Sequence, residues 1–428
     1  VKKTRDAVKI DVSKDIAGFF SALTGGGYSV VLRGFSALDR YLGLPALPFL
    51  WAETNADIAV LARFIDDLRF PGVEVADAAA ESSGSAPDTP GGTCYFRCMD
   101  GDEPREGNLS FPLLSFGFDW QSRRFLDPLG IYPLLRNLKG KPLKENGETT
   151  ELSFETALDP ISPGSGLNSR CRLVMDASMI LSRYDFGPLL SRLIAVLAET
   201  LKNVPSGAPP GPETERAFLS CLMVSARPDH GLELLKRSGV LRELWPELAS
   251  YDEVDHSKEF HPEGNVWKHT LETFQHRKPG NGGAFDLRLS LGLLLHDAGK
   301  PISASFGAHR FNGHAELGAR AAARFLERLE FDPSLIRDIS YLVKNHMLPA
   351  ALKRLPVAKT GEIMTSPLFP TLMELYRCDE SSSFKGLEGY YENSAAYQAY
   401  LKNARNPYRS ADGKKIDTRS QHAKYRVR

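Results

Sequence analysis

The stretch that decides the reading of this chain is "LLLHDAGK", residues 293–300. An apolar run of helical character ends in adjacent histidine and aspartate, then glycine and lysine. A buried helix gains nothing from an imidazole beside a carboxylate, since both lose hydration and need partners there. A metal centre uses both, because neutral imidazole and carboxylate together suit a borderline to hard divalent ion.

Working outward, eight of the ten histidines (256, 261, 269, 276, 296, 309, 314 and 346) fall within residues 256–346. Clustering alone is a modest signal; position strengthens it. His269 follows "EGNVWK", His296 and Asp297 end the "LRLSLGLLL" run, and His314 opens "AELGARAAARFL". His346 closes "ISYLVKN" and Asp379 follows "LMELYRC". Ligands projecting inward from facing helices are how helical bundles build metal sites. The expected ligands are therefore His269, His296, Asp297, His314, His346 and Asp379, holding one or two ions among Mn, Fe, Ni, Co, Zn and Mg. No thiolate is offered. Four neutral imidazoles and two carboxylates would leave two divalent ions with a residual charge of about +2, suited to a phosphate group. A bound divalent ion brings the pKa of water down to about 7 and so supplies a nucleophile without serine or cysteine. Asp297, with two oxygens, is the candidate bridge and catalytic carboxylate. Lys300, three residues on, is the candidate partner of a phosphoryl oxygen. Taken singly, His309 and His276 also read as surface residues, and His346 as a helix C-terminal cap acting on the dipole.

The 428-residue chain allows two to four domains. Its 42% hydrophobic and 25% charged residues are ordinary for a globular protein, and its zero net charge gives no global argument for a polyanion or a membrane. Charge is unevenly placed. Between Lys402 and Arg428 nine Lys or Arg face two Asp, so the tail is +7 and the rest −7. That tail reads as solvated and flexible, or as a contact for RNA or another polyanion. Five scattered cysteines read as free thiols in a reducing cytosol. The absence of an apolar run near the roughly 20 residues of a membrane span, and of a signal-type start, adds the expectation of a cytoplasmic protein without membrane contact.

Three stretches rich in Pro, Gly or Ser punctuate the chain, at 78–92, 203–215 and 278–283. The first part is mixed: "YSVVLRGF", "TCYFRCMD" and "LSFPLLSFGFD" read as strands and "NADIAVLARFIDDLR" as a helix. From residue 185 nearly every segment has helical periodicity.

At this point the segments resemble a known family. "HPEGNVWKHTLETF", "LGLLLHDAGKP", "HRFNGHAELGARAAARFLERL", "IRDISYLVKNHM" and "LYRCDESS" resemble, in order, the HD domain of bacterial CCA-adding enzymes and related poly(A) polymerase-like proteins. In that superfamily the first His, the His-Asp pair and the last Asp bind metal, and histidines at positions like 314 and 346 accompany a second ion. The resemblance implies phosphomonoesterase or phosphodiesterase chemistry on a nucleotide or RNA end. Asp297 and Lys300 would be catalytic, and Lys300, His309 and Arg310 would contact substrate. It also reaches residues 25–57, similar to the family's nucleotidyltransferase head. Gly34, Asp39, Leu42, Gly43 and "TNA" (54–56) are recognisable. Pro48 and Leu50 stand where the family has two metal-binding aspartates, and Met179, Ser182 and Asp185 where it has arginines.

The implied fold class is an α+β N-terminal nucleotidyltransferase-like head, then an all-α neck and an all-α HD domain. The expected boundaries are 1–140 for the head, 141–250 for the neck, 251–400 for the HD domain and 401–428 for a basic, flexible tail. The expected function is metal-dependent phosphohydrolysis beside a head that has lost nucleotidyl transfer. The alternatives are CCA addition or polyadenylation, and a non-catalytic RNA-binding scaffold.

Overall fold

The structure, a computed structural model, describes residues 10, 12–47, 49–68, 93–98, 110–139, 154–161, 169–255, 264–305, 311–383, 386–406 and 408–416. Two compact units emerge, one of residues 1–244 with 279–285 and the other of 245–278 with 286–428. Among the described residues no helix is long and apolar enough to cross a membrane.

The first unit begins with a five-stranded sheet: β1 (Val31–Arg33), β2 (Phe49–Thr54), β3 (Thr93–Cys98), β4 (Gly117–Asp119) and β5 (Arg124–Leu126), in the order β3-β2-β1-β4-β5. β1 is antiparallel to β2 and β4, β4 is antiparallel to β5, and β2 runs parallel to β3. A parallel pair needs a crossover, and the helix Ile58–Leu68 lies within it. Two expectations change here. Residues 110–119 do not form one strand: Pro112, which cannot donate to a ladder, opens a short 3₁₀ turn over Pro112–Ser115 before β4. β2, which the periodicity did not single out, is a six-residue strand.

β2 also corrects the register of the resemblance. Pro48 lies outside the described residues. Leu50 and Ala52 are buried at 4% and 2% exposure, while Trp51 is 46% exposed. Side chains alternate across a strand, so Trp51 and Glu53 share the row opposite the core. A carboxylate serving an open cleft belongs on that row, and Leu50 points the other way. Glu53 is the carboxylate there, and Arg33 holds it through an Nε–Oε2 contact of 2.6 Å.

The remainder of the first unit is helical. Its helix Arg170–Arg183 is buried over most of its length. Met179 is in the core, and the Ser182 hydroxyl accepts from the Gly231 amide at 3.1 Å, where a β-carbon on Gly231 would lie 2.4 Å from that oxygen. Both positions therefore serve packing. The sequence comparison passed over Arg183, whose Nη2 lies 2.8 Å from Asp39 Oδ2 and whose Nε donates to Oδ1 at 3.0 Å. The Tyr184 hydroxyl donates to the same Oδ1 at 3.1 Å. Asp39, a recognisable family position, is thus held by Arg183 and Tyr184 in the core.

The second unit is all-α. Its central helix Leu287–Leu295 has buried residues on every side, from Leu289 to Leu295, as a helix apolar all round must. Asp286 caps it by accepting from the amides of Arg288 and Leu289. Asn265 does the same for the helix Val266–Gln275, and Asp332, followed by Pro333, for Pro333–Asn345. Trp245, Trp267, Phe274, Phe325 and Phe369 fill the core around them. Cys171, Cys221 and Cys378 are buried free thiols, as expected. Part of the basic stretch expected as a flexible tail is described. The helix Glu388–Ala404 runs into it, and residues 408–416 turn back in a hydrogen-bonded hairpin.

Candidate metal centre

Each candidate ligand sits on a helix or within one turn of its end, and the fold brings six of them together. His269 lies in the first turns of Val266–Gln275. His296 and Asp297 follow the last turn of Leu287–Leu295, and His314 opens the helix His314–Arg328. His346 closes Pro333–Asn345, and Asp379 lies near the end of Phe369–Ser381. Two three-residue groups result, His269–His296–Asp379 and Asp297–His314–His346, each with ligand atoms within 4.8 Å of one another.

Asp297 stands between the groups. Its Oδ2 is 3.3 Å from His296 Nε2 and 4.0 Å from His269 Nε2. Its Oδ1 is 3.8 Å from His314 Nε2 and 4.0 Å from His346 Nε2. In the first group His269 Nε2 lies 3.0 Å from Asp379 Oδ1 and 3.3 Å from His296 Nε2. In the second, His314 Nε2 lies 3.2 Å from His346 Nε2.

The other ring nitrogens explain these contacts. Nδ1 of His296, His314 and His346 each meets the carbonyl oxygen three residues back, on Leu293, Phe311 and Val343, at 2.8, 2.8 and 2.7 Å. A carbonyl only accepts, so each Nδ1 carries the proton and each Nε2 of the neutral ring presents a lone pair to the centre. His269 follows the same logic: Nδ1 faces the Ser382 hydroxyl at 3.3 Å, and that hydroxyl donates onward to the Asp379 carbonyl at 2.7 Å. Such outer contacts orient ligating histidines in metal sites. The cap and ligand readings of His346 are therefore compatible, since Nδ1 caps the helix and Nε2 remains for a ligand.

The electrostatics agree. Burial pushes His346 down to about 4, with His296 and His314 adding to the shift and Asp297 opposing it. Burial also lowers His314. At neutral pH these rings are uncharged and their lone pairs face each other across 3.2 Å. Burial raises Asp297 and Asp379, but the surrounding histidines, with Lys300 for Asp297, outweigh it and hold both carboxyls below the usual range. His314 and His346 are thus held neutral and Asp297 and Asp379 ionised, a combination suited to a divalent ion.

Lys300 Nζ sits 2.6 Å from Asp297 Oδ2, so in this structure its charge rests on the carboxylate. His309 and Arg310 lie outside the described residues. His276 is not among the converging residues; it caps the end of the His269 helix. Sequence reasoning missed two supporting residues. Ser382 stands three positions after Asp379, a helical spacing that would have found it. Tyr251, buried in a separate short turn, donates from its hydroxyl to the Leu294 carbonyl at 3.2 Å and holds the turn that carries His296. Only the fold reveals it.

The glycine of "HDAGK" also finds its reason. A β-carbon on Gly299 would lie 1.9 Å from the His314 carbonyl oxygen and 2.6 Å from the Gly318 amide nitrogen. Backbone touches backbone there, and this approach carries His314 to Asp297. Gly299→Ala is therefore expected to cost about 3 kcal/mol or more, as overpacking against unyielding backbone does. Urea unfolding and metal stoichiometry check it; unchanged values in both would show that the contact is not needed.

A pH dependence follows for the metal-free chain. With His346 at about 4 against about 6.5 unfolded, the unfolded chain takes up this proton first as pH falls. The associated stability is fully present above about pH 6.5 and is lost as pH falls toward about 4, by no more than about 3 kcal/mol. His314 adds in the same direction. The denaturation midpoint in EDTA should fall from pH 7.5 to 5, and less steeply in His346→Gln; equal slopes would refute the assignment.

Residues 266–368, which carry five of the six converging ligands, match the HD domain family. Curated proteins similar to parts of the chain include bacterial tRNA nucleotidyltransferases and CCA proteins. It is 32% identical over 207 residues to a CC-adding tRNA nucleotidyltransferase of Thermus thermophilus, covering 45% of each chain. It is 33% identical over 123 residues to a multifunctional CCA protein of Halorhodospira halophila, covering 28% of each. The matches thus span less than half of these relatives' length. Among solved structures, a tRNA-processing enzyme aligns with a TM-score of 0.45 at 14% identity, covering 98% of this chain and 97% of that one. A Thermotoga maritima CCA-adding enzyme complexed with tRNA aligns with a TM-score of 0.45 at 13% identity, over 98% and 87%.

Proposed function

We propose that this protein is a metal-dependent phosphohydrolase acting on a phosphomonoester or phosphodiester of a nucleotide or RNA end. One observation carries the reading: two neutral, acceptor-only imidazole nitrogens, His314 and His346, held 3.2 Å apart beside an ionised carboxylate. Lone pairs so placed repel unless a cation lies among them. Divalent ions would be held by His269, His296 and Asp379 on one side and His314 and His346 on the other, with Asp297 serving both. When bound, such ions supply Lewis acidity toward phosphoryl oxygens and a nucleophile from water near neutral pH. The chain's own residues orient: Asp297 Oδ2 and Oδ1 align the two groups, the Nδ1 contacts lock the imidazoles, and Lys300 Nζ provides positive charge beside them. A negatively charged phosphoryl group entering here would meet the Lys300 ammonium beside Asp297. Elemental analysis after loading with Mn, together with hydrolysis of p-nitrophenyl and bis-p-nitrophenyl phosphate, tests the reading. Metal-free protein with normal turnover would overturn it.

The names of the relatives favour a second reading, nucleotide addition to tRNA by the first unit. Its support is the family likeness. Against it stands β2, whose outward row offers Trp51 and an Arg33-paired Glu53. Our reading is that the head retains the fold without the transfer chemistry.

A further inference from the structure

We propose that the hairpin at residues 408–416 is a contact site for the phosphate backbone of RNA, with Tyr408 as a stacking surface for a base. The proposal extends the reading of the HD unit as acting on a nucleotide or RNA phosphoester, and its test does not depend on catalysis.

A solvated run of charge needs no structure, yet this one has it. Ser410, Ala411, Asp412 and Gly413 form a turn closed by the Gly413 amide donating to the Ser410 carbonyl at 2.8 Å. Gly413 has φ +85°, the left-handed conformation that completes a three-residue hairpin loop. The Ser410 amide then donates to the Lys414 carbonyl at 2.8 Å, and the Ile416 amide to the Tyr408 carbonyl at 3.0 Å. The Asn406 side chain accepts from the Tyr408 amide at 2.9 Å and fixes the entry from the preceding helix. The turn also lies against that helix: a β-carbon on Gly413 would meet the Asn403 side-chain nitrogen at 3.0 Å.

This frame presents one chemistry. Lys402, Arg405, Arg409, Lys414 and Lys415 are all exposed, against one acidic residue, Asp412. Lys414 leans on Asp412 at 3.2 Å, and Arg409 Nη1 donates to the Gly413 carbonyl at 2.9 Å, which leaves further guanidinium donors. Arg409 and Lys415 are directly opposite each other across the antiparallel bridge. Like charges in that position repel. A hairpin that places two cations there is poised for an anion between them, and a phosphodiester supplies one. Tyr408, 67% exposed, is the aromatic beside this pair. Single-stranded RNA uses both the charges and the exposed phenol ring, since every base has a face to stack.

The test is fluorescence anisotropy with a labelled tRNA transcript and an unstructured RNA oligonucleotide, using the full chain. Arg409→Glu/Lys415→Glu should weaken both at least about tenfold near 0.1 M salt and reduce the slope of log K against log salt by roughly 1.5, two contacts' worth. Arg409→Gln/Lys415→Gln should act in the same direction to a smaller extent. Tyr408→Ala should weaken the oligonucleotide roughly tenfold with the salt slope unchanged. Circular dichroism and p-nitrophenyl phosphate turnover should match the parent in all three, which separates failure of this proposal from failure of the phosphohydrolase reading. RNA binding equal to the parent in the charge variants would overturn the site. So would vesicles rich in phosphatidylserine binding more tightly than RNA through the same residues.

Discussion

Asp297→Ala is expected to lower metal-dependent hydrolysis of p-nitrophenyl phosphate by about a thousandfold or more, the largest effect of any single substitution in the chain. Among the described residues, Asp297 is the one whose two oxygens face both groups, at 3.3 and 4.0 Å on one side and 3.8 and 4.0 Å on the other. Its loss removes charge stabilisation worth several kcal/mol, and about 1.4 kcal/mol is a factor of ten in rate. Metal content should fall with activity, because the donor set then keeps Asp379 as its one carboxylate and loses the ligand that serves both groups. Lys300→Met makes the contrast: it should retain its metal and lose turnover, since Lys300 acts through charge rather than ligation. An Asp297→Ala protein with parental turnover would place the activity at another site.

The second large effect is an absence. With Mg or Mn, and any tRNA as acceptor, no incorporation of CMP or AMP above background is expected. Nucleotidyl transfer requires two ions clamped between attacking and leaving oxygens, and carboxylates must hold them. The outward row of β2 carries an indole at Trp51, and its Glu53 is already bound by Arg33 at 2.6 Å. Asp39, on the helix Phe35–Leu42 that follows β1, is buried against Arg183 and Tyr184. Asp39→Asn should therefore lower the stability of the first unit without altering a transfer activity. Labelled CTP or ATP entering tRNA, and ceasing to do so in Glu53→Gln, would prove this wrong.

The histidine-rich unit was legible because its signals are local. Each ligand follows or opens a strongly periodic helix, and caps such as Asp286, Asn265 and Asp332 mark the starts in one dimension. The head was less legible. β2 is short and apolar on both sides of its alternation, so periodicity did not separate it, and a one-residue slip in a strand exchanges the faces. The resemblance placed the lost carboxylates at Pro48 and Leu50, whereas Leu50 faces the core. The described part of the tail was legible only as charge. Charge density suggested solvation, and the hairpin rests on backbone bonds around Gly413 and Asn406 that composition does not express.

By itself the sequence determined the classes of the two parts, the helices of the second unit and the six residues that converge there. The information lay in residue type and spacing along single elements. Only the tertiary structure decided what those residues meet. The tautomers of His296, His314 and His346 depend on carbonyls one turn back, and the facing of Asp297's two oxygens depends on four helices packing at once. The need for glycine at 299 depends on a backbone 15 residues further along the chain, where the His314 carbonyl would lie 1.9 Å from a β-carbon. Contacts between elements are set by packing in three dimensions, and a linear pattern names the participants without fixing their distances.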